Sequence, residues 1–538
     1  MPASRVAVTQ KKQEPCVSRP AWLALASVML VTLVTCFAWS NAKSFWVDEM
    51  LEYFSDEKPS FWAIVEGQLR SPYTLDPPAF HLLLGAMHRL MPGHPELAAR
   101  LPSMVALLVT ELAVFLLSWS LTRQAATAVF SAVMPYFLVT IYYGAEARVY
   151  SALTACFAVA LLCYRYATLP EALSRRRRLA LFGLAGSIGL GVLFHYYALF
   201  YALPIVVAEM YRTRRRGRVD WLLFLAVGAG LVCFAVDVPF MKAAHEFSIH
   251  FHEAYETRWG MILLTYMWYV GHFAVYFLQL YFHEPLRALH VLFALAAVVV
   301  VWITVIVCLR LLRMPQDDRA PVLVALLVGF LLPFCNVFVA HTVTHAYHPR
   351  YSLPCCAAVA VLVPFLMDGW PRLIVAVTVV VAMLGGLHVV GEIHAARENS
   401  KVLRADVVLT PTLRAVLAAG PDHRLYIQDT AKFLVGYFYA TPEMKSSMVM
   451  VYDRDKELQL RQRDVSSLTA RNMQRSSALP VEGFQDVLAQ PGPHLFAVYH
   501  ASDEEWVDLE FTSPTYRTRV VGHEFGADLI EVERLAKN

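Results

Sequence analysis

Long apolar runs recur through the first 390 residues, and they limit the chain more than any other feature of its sequence. A helix needs about 20 mainly apolar residues to cross a bilayer. The runs fall at 21–40, 101–121, 124–143, 149–168, 179–197, 198–211, 220–240, 288–312, 320–340, 351–367 and 371–390. Only 17% of the residues are charged, against about 25% in soluble domains. We therefore predict an α-helical polytopic membrane protein with about 11 transmembrane helices.

Basic residues cluster in alternate turns between these runs, and basic turns mark the cytoplasmic side. The clusters are Lys11–Lys12, Arg175–Arg178, Arg212–Arg218, Arg310–Arg319 and Arg372. Eleven spans place all of them on the cytoplasmic side. We expect a multi-pass protein of a bacterial inner (plasma) membrane. Residues 41–100, 142–148, 241–287 and 341–350 then face outward. Within 241–287, the aromatic stretch 260–282 is interpreted as a helix in the outer interface.

The remaining residues, 391–538, alternate strand-like and helical runs. Strands are predicted at Arg424–Gln428, Met448–Tyr452, His494–Tyr499 and Asp528–Val532. This pattern is typical of a soluble α/β domain, here on the outer, periplasmic side. The predicted organisation is thus a transmembrane domain, 1–390, whose large outer loop carries interfacial helices, and a C-terminal domain, 391–538.

Neither the cysteines nor the Asp-x-Asp motif of the C-terminal part predicts a metal site. The nine cysteines form no pair with metal-ligand spacing, and 391–538 contains none; structural zinc is not expected. Asp453-Arg454-Asp455 follows a predicted strand and is interpreted as an ordinary acidic strand end. The sequence requires no cofactor, although it is compatible with a divalent cation, and we predict no nucleic-acid partner.

Two acidic positions stand out in the first outer loop. Asp48 and Glu49 directly follow the first span, where a carboxylate could remove a proton from a hydroxyl group. A solvated acidic pair at a helix end is the alternative. Asp76, three residues after Tyr73, precedes two prolines. It is either a helix N-cap or part of the same site.

Charged residues also occur at the outer ends of later spans. Glu146 and Arg148 begin the fourth span; they either pair with each other or serve a functional site. A third group, between the ninth and tenth spans, fits phosphate binding, structural hydrogen bonding or a metal site. It comprises His341, His345, His348, Arg350 and Tyr351. Arg258 is a candidate of the same type in the neighbouring loop.

The order of these motifs resembles glycosyltransferase superfamily C. The motifs are Trp46-x-Asp48-Glu49, Asp76-Pro77-Pro78, Arg100-Leu101-Pro102-Ser103, Glu146-Ala147-Arg148-x-Tyr150-Ser151 and Arg350-Tyr351. The resemblance covers about residues 20–370. Within the superfamily, the sequence is most similar to the bacterial branch that includes protein O-mannosyltransferases and lipid A aminoarabinose transferases.

The resemblance implies transfer of a sugar from a polyprenyl-phosphate donor, at the outer face of the bilayer and with inversion, to a hydroxyl on a lipid, glycan or protein. It implies that Asp48 is the base, with Glu49 its neighbour, and places Tyr73, Arg148 and the Arg350 region around the donor. The chain departs from the aminoarabinose pattern: Met50-Leu51 replaces Arg-Tyr, and Leu75-Asp76 replaces Glu-Lys. These departures argue against aminoarabinose transfer to lipid A.

A membrane transporter of a lipid-linked or small anionic substrate is the alternative from another functional class. Transporters commonly contain paired halves and charges at the bilayer midplane. This sequence shows no internal repeat, and its candidate charges lie at span ends on one face. Both features favour the transferase.

Overall fold

The computed structural model describes residues 17–169, 174–254, 257–269, 285–314, 317–344, 347–406, 410–419, 423–500, 502, 505–524 and 526–535. Residues up to 406 in this part of the chain are helical, with short connections. The helices are α1 (Arg19–Ala42), α2 (Val47–Asp56), α3 (Phe61–Arg70), α4 (Pro78–Leu90), α5 (Pro95–Thr122), α6 (Ala125–Phe137), α7 (Thr140–Gly144), α8 (Tyr150–Thr168), α9 (Ser174–Phe194), α10 (Ala202–Arg216), α11 (Trp221–Val232), α12 (Phe234–Ala254), α13 (Met261–Tyr269), α14 (Pro285–Arg313), α15 (Ala320–Val339), α16 (Cys355–Leu366) and α17 (Pro371–Asp406). Short 3₁₀ turns lie at Tyr196–Tyr201 and Pro349–Ser352.

Eight helical segments of the described residues are long and apolar enough to cross a membrane. They are Arg19–Ala42, Pro95–Thr122, Tyr150–Thr168, Arg175–Phe194, Trp221–His245, Val291–Arg313, Ala320–Thr344 and Pro371–Leu403. Two further apolar helices, α6 and α16, are shorter. The chain is therefore a mostly helical, multi-pass membrane protein, while the full count of eleven spans stays a prediction.

The spans differ in how much protein surrounds them. In α8, 78% of the apolar window is buried inside the protein, whereas the corresponding share is 22% for α1 and 17% for α17. Apolar side chains that remain exposed, such as Val301 and Trp302 of α14, suit a lipid environment. The core of the bundle is thus built around α8, and α1, α14 and α17 lie at its periphery.

The predicted span 124–143 is divided into α6 and α7. Pro135 lies inside α6, which ends at Phe137, because proline removes a helical hydrogen bond. The interruption is stabilised by α13, since the Val139 N–H donates to the Tyr269 carbonyl at 2.9 Å. Gly144 then lets α7 pack closely: a Cβ there would lie 2.5 Å from Leu107 Cδ2. This packing fixes the segment that carries Glu146 and Arg148.

The first part of the predicted interfacial stretch packs into the protein. In α13 the Tyr266 hydroxyl donates to the Phe330 carbonyl, and the Tyr269 hydroxyl donates to the Ser352 carbonyl, both at 2.7 Å. Protein groups, rather than lipid headgroups, satisfy these phenols. Residues 270–282 of the stretch lie outside the described residues.

The C-terminal part forms a six-stranded sheet flanked by helices. Its strands are β1 (Leu425–Ile427), β2 (Met448–Tyr452), β3 (Val481–Gly483), β4 (His494–Val498), β5 (Tyr516–Glu524) and β6 (Ala527–Arg534), in the order β3-β2-β1-β4-β6-β5. Strands β3, β2, β1 and β4 run parallel to one another. Strand β6 pairs antiparallel with β4, and β5 pairs antiparallel with β6. The helices are α18 (Pro411–Ala419), α19 (Thr430–Tyr439), α20 (Pro442–Ser447), α21 (Arg454–Arg461), α22 (Val465–Ser476), α23 (Phe484–Leu488) and α24 (Val507–Glu510). Asp453 caps α21 by accepting from the Lys456 N–H at 3.2 Å.

This C-terminal sheet region packs directly on the loop between α1 and α5. The Tyr439 hydroxyl accepts from the Phe45 N–H at 2.7 Å, and the Asn472 amide donates to the Pro72 carbonyl at 2.6 Å. Phe45 also shares an apolar cluster with side chains of α18, α19 and β1. The sheet region and the acidic helix α2 therefore lie at the same end of the bundle.

Candidate active site

Helix α2 presents three carboxylates along one side. Asp48, Glu52 and Asp56 are spaced by four residues, and side chains four apart lie one above another on a helix. Asp48 and Glu49 also occupy the first turn, where the helix dipole stabilises negative charge. The other charged residues of the site contact this row.

Asp48 is the most accessible member of the row, with 18% of its side chain exposed. Its Oδ2 accepts a hydrogen bond from Arg350 Nη1 at 2.6 Å and lies 3.8 Å from Arg148 Nη2. Burial alone would raise the pKa of Asp48, but Arg148 and Arg350 outweigh it and hold that pKa below its ordinary value. Asp48 is therefore ionised at neutral pH and partly exposed.

Arg148 connects three carboxylates that are distant in sequence. It donates to Glu52 Oε1 through Nη1, and its Nη2 lies 3.7 Å from Asp76 Oδ2. The same Nη2 is 3.4 Å from the Tyr150 hydroxyl. Asp76 is not the N-cap of α4, since Pro77 occupies that position. The structure instead brings Asp76 to Arg148, together with Asp48.

Glu49 faces away from the cavity and is fully buried. Arg100 donates two hydrogen bonds to it, from Nε to Oε1 at 2.7 Å and from Nη2 to Oε2 at 2.8 Å. The Ala147 N–H donates to Oε1 at 2.8 Å. Arg100 also donates to the Ser40 and Lys43 carbonyls. Glu49 thus ties together the end of α1, the start of α2, α5 and the segment before α8.

Glu146 pairs with Lys43 rather than with Arg148. Lys43 Nζ lies 2.8 Å from Glu146 Oε1 and 4.0 Å from Glu49 Oε2. Burial raises the pKa of Glu146. The alternative of a Glu146–Arg148 pair is therefore not what the structure contains, and the two charges serve different partners.

A buried histidine closes the inner end of the carboxylate row. His81 Nδ1 lies 3.0 Å from Glu52 Oε2 and 2.9 Å from Asp56 Oδ1. Burial would lower the pKa of His81, but the two carboxylates raise it to about 9. Burial raises the pKa of Glu52 to about 8 and that of Asp56 to about 6. Protons are consequently shared within this group near neutral pH.

Arg350 reaches Asp48 from the 3₁₀ turn Pro349–Ser352. His348 caps that turn, because its Nδ1 accepts from the Arg350 N–H at 3.2 Å. Burial, with the charge of Arg350, lowers the pKa of His348 to about 3, so this imidazole is neutral. Tyr351 stacks beside Tyr197 with ring centroids 5.0 Å apart. The turn therefore offers one cation and several aromatic faces.

A cavity of about 180 Å³ adjoins Arg350 and His348. Its other walls are mainly aromatic and aliphatic: Trp39, Trp46, Phe137, Leu138, Val139, Ile141, Tyr142, Tyr143 and Trp268, with His388 and Glu392. In the described part of the chain, the buried Nε atoms of Arg148 and Arg350 have no hydrogen-bond partner. An apolar, aromatic space that ends at Arg350, whose Nε is unsatisfied, suits a ligand with an apolar tail and an anionic head.

Other predicted site residues lie elsewhere. Tyr73 is buried in the apolar cluster beneath the C-terminal sheet region. Arg258 is exposed in the turn before α13. His341 contacts the Thr257 carbonyl at 3.1 Å. His345 lies outside the described residues, so its role stays a prediction.

Six residues of the charged network were not selected from the sequence as site residues. They are Lys43, Glu52, Asp56, His81, Arg100 and His195. The four-residue spacing of Asp48, Glu52 and Asp56 was a signal that sequence reasoning could have used. His81 and Arg100 have no comparable signal, because their partners lie 25 to 51 residues away.

Comparisons with known proteins bear on the fold. A family profile described as dolichyl-phosphate-mannose-protein mannosyltransferase matches residues 76–241, less than a third of the chain. The structure resembles the crystal structure of ArnT from Cupriavidus metallidurans bound to undecaprenyl phosphate. Identity is 15%, the TM-score is 0.57, and the match covers 96% of this chain and 98% of ArnT. The chain therefore has an ArnT-like fold.

Two more distant likenesses are to other sugar-transferring membrane proteins. The oligosaccharyltransferase AglB from Archaeoglobus fulgidus, solved with an inhibitory peptide and a dolichol-phosphate, shares 12% identity at a TM-score of 0.45. That match covers 89% of this chain and 70% of AglB. The S. cerevisiae Pmt1–Pmt2 complex, solved with its sugar donor, shares 17% identity at a TM-score of 0.34, covering 45% of this chain and 35% of that one. No curated protein sequence matches the chain significantly.

Proposed function

We propose that this protein is an inverting glycosyltransferase of superfamily C, which moves a hexose or pentose from a polyprenyl-phosphate donor to a hydroxyl acceptor. The observation that carries the proposal is the pair formed by Asp48 and Arg350, 2.6 Å apart, at the end of the aromatic cavity. It joins a carboxylate that can accept a proton to a cation that can receive a phosphate. The fold matches sugar transferases, which disfavours the transporter.

In this mechanism Asp48 is the catalytic base. Its carboxylate takes the proton of the acceptor hydroxyl while that oxygen forms a bond to the anomeric carbon of the sugar. The bond from the anomeric carbon to the phosphate oxygen breaks, and the polyprenyl phosphate leaves with the electron pair. Because attack and departure occur on opposite sides of the carbon, the configuration inverts. A positioned base of this type contributes about 10²–10⁴-fold to the rate.

Arg350 and Arg148 bind the donor phosphate. Each holds a buried Nε without a hydrogen-bond partner in the described structure, and a guanidinium binds phosphate oxygens with paired donors. A phosphate that engages Arg350 competes with Asp48 for its Nη1. Donor binding therefore loosens the carboxylate that then acts as base. The undecaprenyl phosphate bound to ArnT is consistent with a lipid of this class.

Glu49 acts as a positioning residue. Its bidentate pair with Arg100 fixes the first turn of α2, and hence the place of Asp48, the next residue in the chain. Lys43 and Glu146 extend the same support. Asp76 lies beside Arg148, and Tyr351 follows Arg350 in the same turn. Tyr73 is buried in the apolar cluster that supports the loop between α1 and α5.

The site faces the outer, periplasmic side of a bacterial inner membrane in an eleven-span arrangement. The opposite end of α8, about 28 Å away at 1.5 Å per residue, carries the basic turns. There Arg165 pairs with Asp318 at 2.9 Å and Arg212 with Asp220 at 2.6 Å. Basic turns mark the cytoplasmic side. The sheet region, 391–538, is then an outer α/β domain, because it packs on the loop that carries α2.

The test is turnover by purified protein in lipid nanodiscs. A panel of polyprenyl-phosphate hexoses and pentoses is incubated with lipid, glycan and protein acceptor extracts, and free polyprenyl phosphate is measured. We expect release by the wild type with at least one donor. We expect loss of release in Asp48→Asn, which keeps the shape of the side chain.

Asp317→Asn is the matched control, since it makes the same change at the basic end of the bundle. It should retain wild-type turnover. Equal turnover by Asp48→Asn and the wild type would exclude Asp48 as the base and direct attention to Asp76. Absence of turnover with every donor and acceptor class would contradict the proposed donor.

A further inference from the structure

We propose that Glu52, Asp56 and His81 bind a divalent cation beside the active site. Oxygens of the two carboxylates and a ring nitrogen of His81 lie within 4.8 Å of one another. The residues come from α2 and α4, which pack together through buried surfaces. This site goes beyond the proposed transfer reaction.

The two distances from the His81 ring nitrogen match those between ligands of one ion. His81 Nδ1 lies 3.0 Å from Glu52 Oε2 and 2.9 Å from Asp56 Oδ1. Zinc–nitrogen and zinc–oxygen bonds of about 2.0–2.2 Å place neighbouring ligands at about 3 Å or slightly more. A single N–H hydrogen, in contrast, aligns well with only one of two acceptors.

Two carboxylate oxygens at this position lack a hydrogen bond. Within the described structure, Asp56 Oδ2 has no hydrogen-bond partner, and Glu52 Oε2 has only the 3.0 Å approach of His81 Nδ1, which is not a well-formed hydrogen bond. Yet the two residues are only 0% and 1% exposed. A buried carboxylate oxygen without a partner costs free energy. A cation between the two side chains would satisfy both oxygens.

The second nitrogen of His81 is held in the manner of a metal ligand. His81 Nε2 lies 3.1 Å from Thr74 Oγ1, and the Thr74 hydroxyl can in turn donate to Gln68 Oε1 at 3.4 Å. When Nε2 carries the proton and donates to Thr74, Nδ1 presents its lone pair to the carboxylates. Metal-bound histidines are oriented by such a hydrogen bond from the other ring nitrogen.

One imidazole and two carboxylates favour Zn²⁺ or Mn²⁺ over Ca²⁺ or Mg²⁺, because the latter two prefer oxygen ligands alone. Three protein ligands leave a coordination position for water. Glu52 accepts from Arg148 through its other oxygen, Oε1. An ion bound here therefore also fixes the carboxylate that orients Arg148.

The test measures metal content without donor or acceptor, so its failure is distinct from failure of the transfer reaction. The full-length protein is purified without chelator, analysed for Zn and Mn, stripped with EDTA and re-exposed to Zn²⁺ or Mn²⁺. We expect about one ion per chain and an upward shift of the thermal midpoint on reloading. His81→Gln and Asp56→Asn should lose both, whereas His88→Gln, on the same helix, should keep both.

The alternative is a proton shared by the three side chains. In that case the wild type and His81→Gln bind equal amounts of metal after reloading, and the thermal midpoint depends on pH but not on Zn²⁺ or Mn²⁺. Either result overturns the proposal. Each variant is first checked for a single size-exclusion peak; Glu52→Gln replaces any variant that aggregates.

Discussion

The two charged ends of the helical bundle both pair acidic residues with basic ones, but they differ in how far the paired carboxylates are buried. At the end that carries α2, Glu49, Glu52 and Asp56 have side chains 0–1% exposed. At the other end, the partner carboxylates Asp317 and Asp318 are 20% and 41% exposed. Solvated pairs contribute little to stability, whereas a buried charge depends on its partner. The basic end also contains a buried carboxylate, Glu209, which is 1% exposed and pairs with Arg212. Because α2 places three such carboxylates on one helix, buried charge is concentrated at the α2 end.

Loss of Arg100 should produce the largest change in stability. Arg100→Met leaves Glu49 charged and fully buried, and removing one partner of a buried pair costs about 3–5 kcal/mol. Arg319→Met removes the partner of the more exposed Asp317 and should cost about 0–1 kcal/mol. Unfolding in detergent, followed by tryptophan fluorescence, compares the two. Equal losses would mean that burial does not distinguish the ends.

A double substitution sharpens this comparison. Glu49→Leu combined with Arg100→Met removes both charges, so no unpaired charge stays buried. Replacing both members of a buried pair is often nearly neutral. We expect the double variant to regain about 1–3 kcal/mol relative to Arg100→Met. No recovery would show that the hydrogen bonds of Arg100 to backbone carbonyls, rather than its pair with Glu49, provide the stability.

These residues also show how far the sequence could predict the site. Asp48, Arg148 and Arg350 were selected from the sequence, and the structure brings them together across as many as 302 positions. The pairing of Glu49 with Arg100 was not predicted, since it depends on how α5 packs against α1. His81 was missed for the same reason. Its nearest carboxylates belong to another helix.

The fold shows a similar division. The four predicted strands coincide with β1, β2, β4 and β6, which are mostly buried apolar runs. Strand β3 (Val481–Gly483) contains a single apolar residue, Val481, and β5 is largely exposed with charged side chains, so neither has a clear apolar pattern. Span 124–143 was predicted as one continuous helix. The break after Pro135 is stabilised by a hydrogen bond from the Val139 N–H to the Tyr269 carbonyl, a contact that the sequence of the span does not contain.

The pH dependence of activity should respond to Arg350. A lowered pKa keeps Asp48 ionised below its ordinary titration range, so the wild type should lose kcat/KM only at strongly acidic pH. Arg350→Gln removes one charge that lowers this pKa. The acid limb should therefore move to higher pH, together with a raised KM for the donor. Arg319→Gln, at the basic end, should leave the profile unchanged; an unmoved limb in Arg350→Gln would contradict the electrostatic role of Arg350.

The smallest effect is expected from Asp317→Asn. Its side chain is 20% exposed, and partly solvated pairs are worth about 0–1 kcal/mol. The thermal midpoint and turnover should stay close to those of the wild type. A loss comparable to that of Arg100→Met would show that the basic end is as tightly constrained as the α2 end.

The most direct test of the central claim separates chemistry from donor binding. The wild type and Asp48→Asn are loaded with a saturating donor, and the first-order release of polyprenyl phosphate is followed in a single turnover after acceptor is added. With Asp48 as the base, the rate in Asp48→Asn falls about 10²–10⁴-fold while its affinity for polyprenyl phosphate is retained. An equal single-turnover rate in the two proteins would contradict the account.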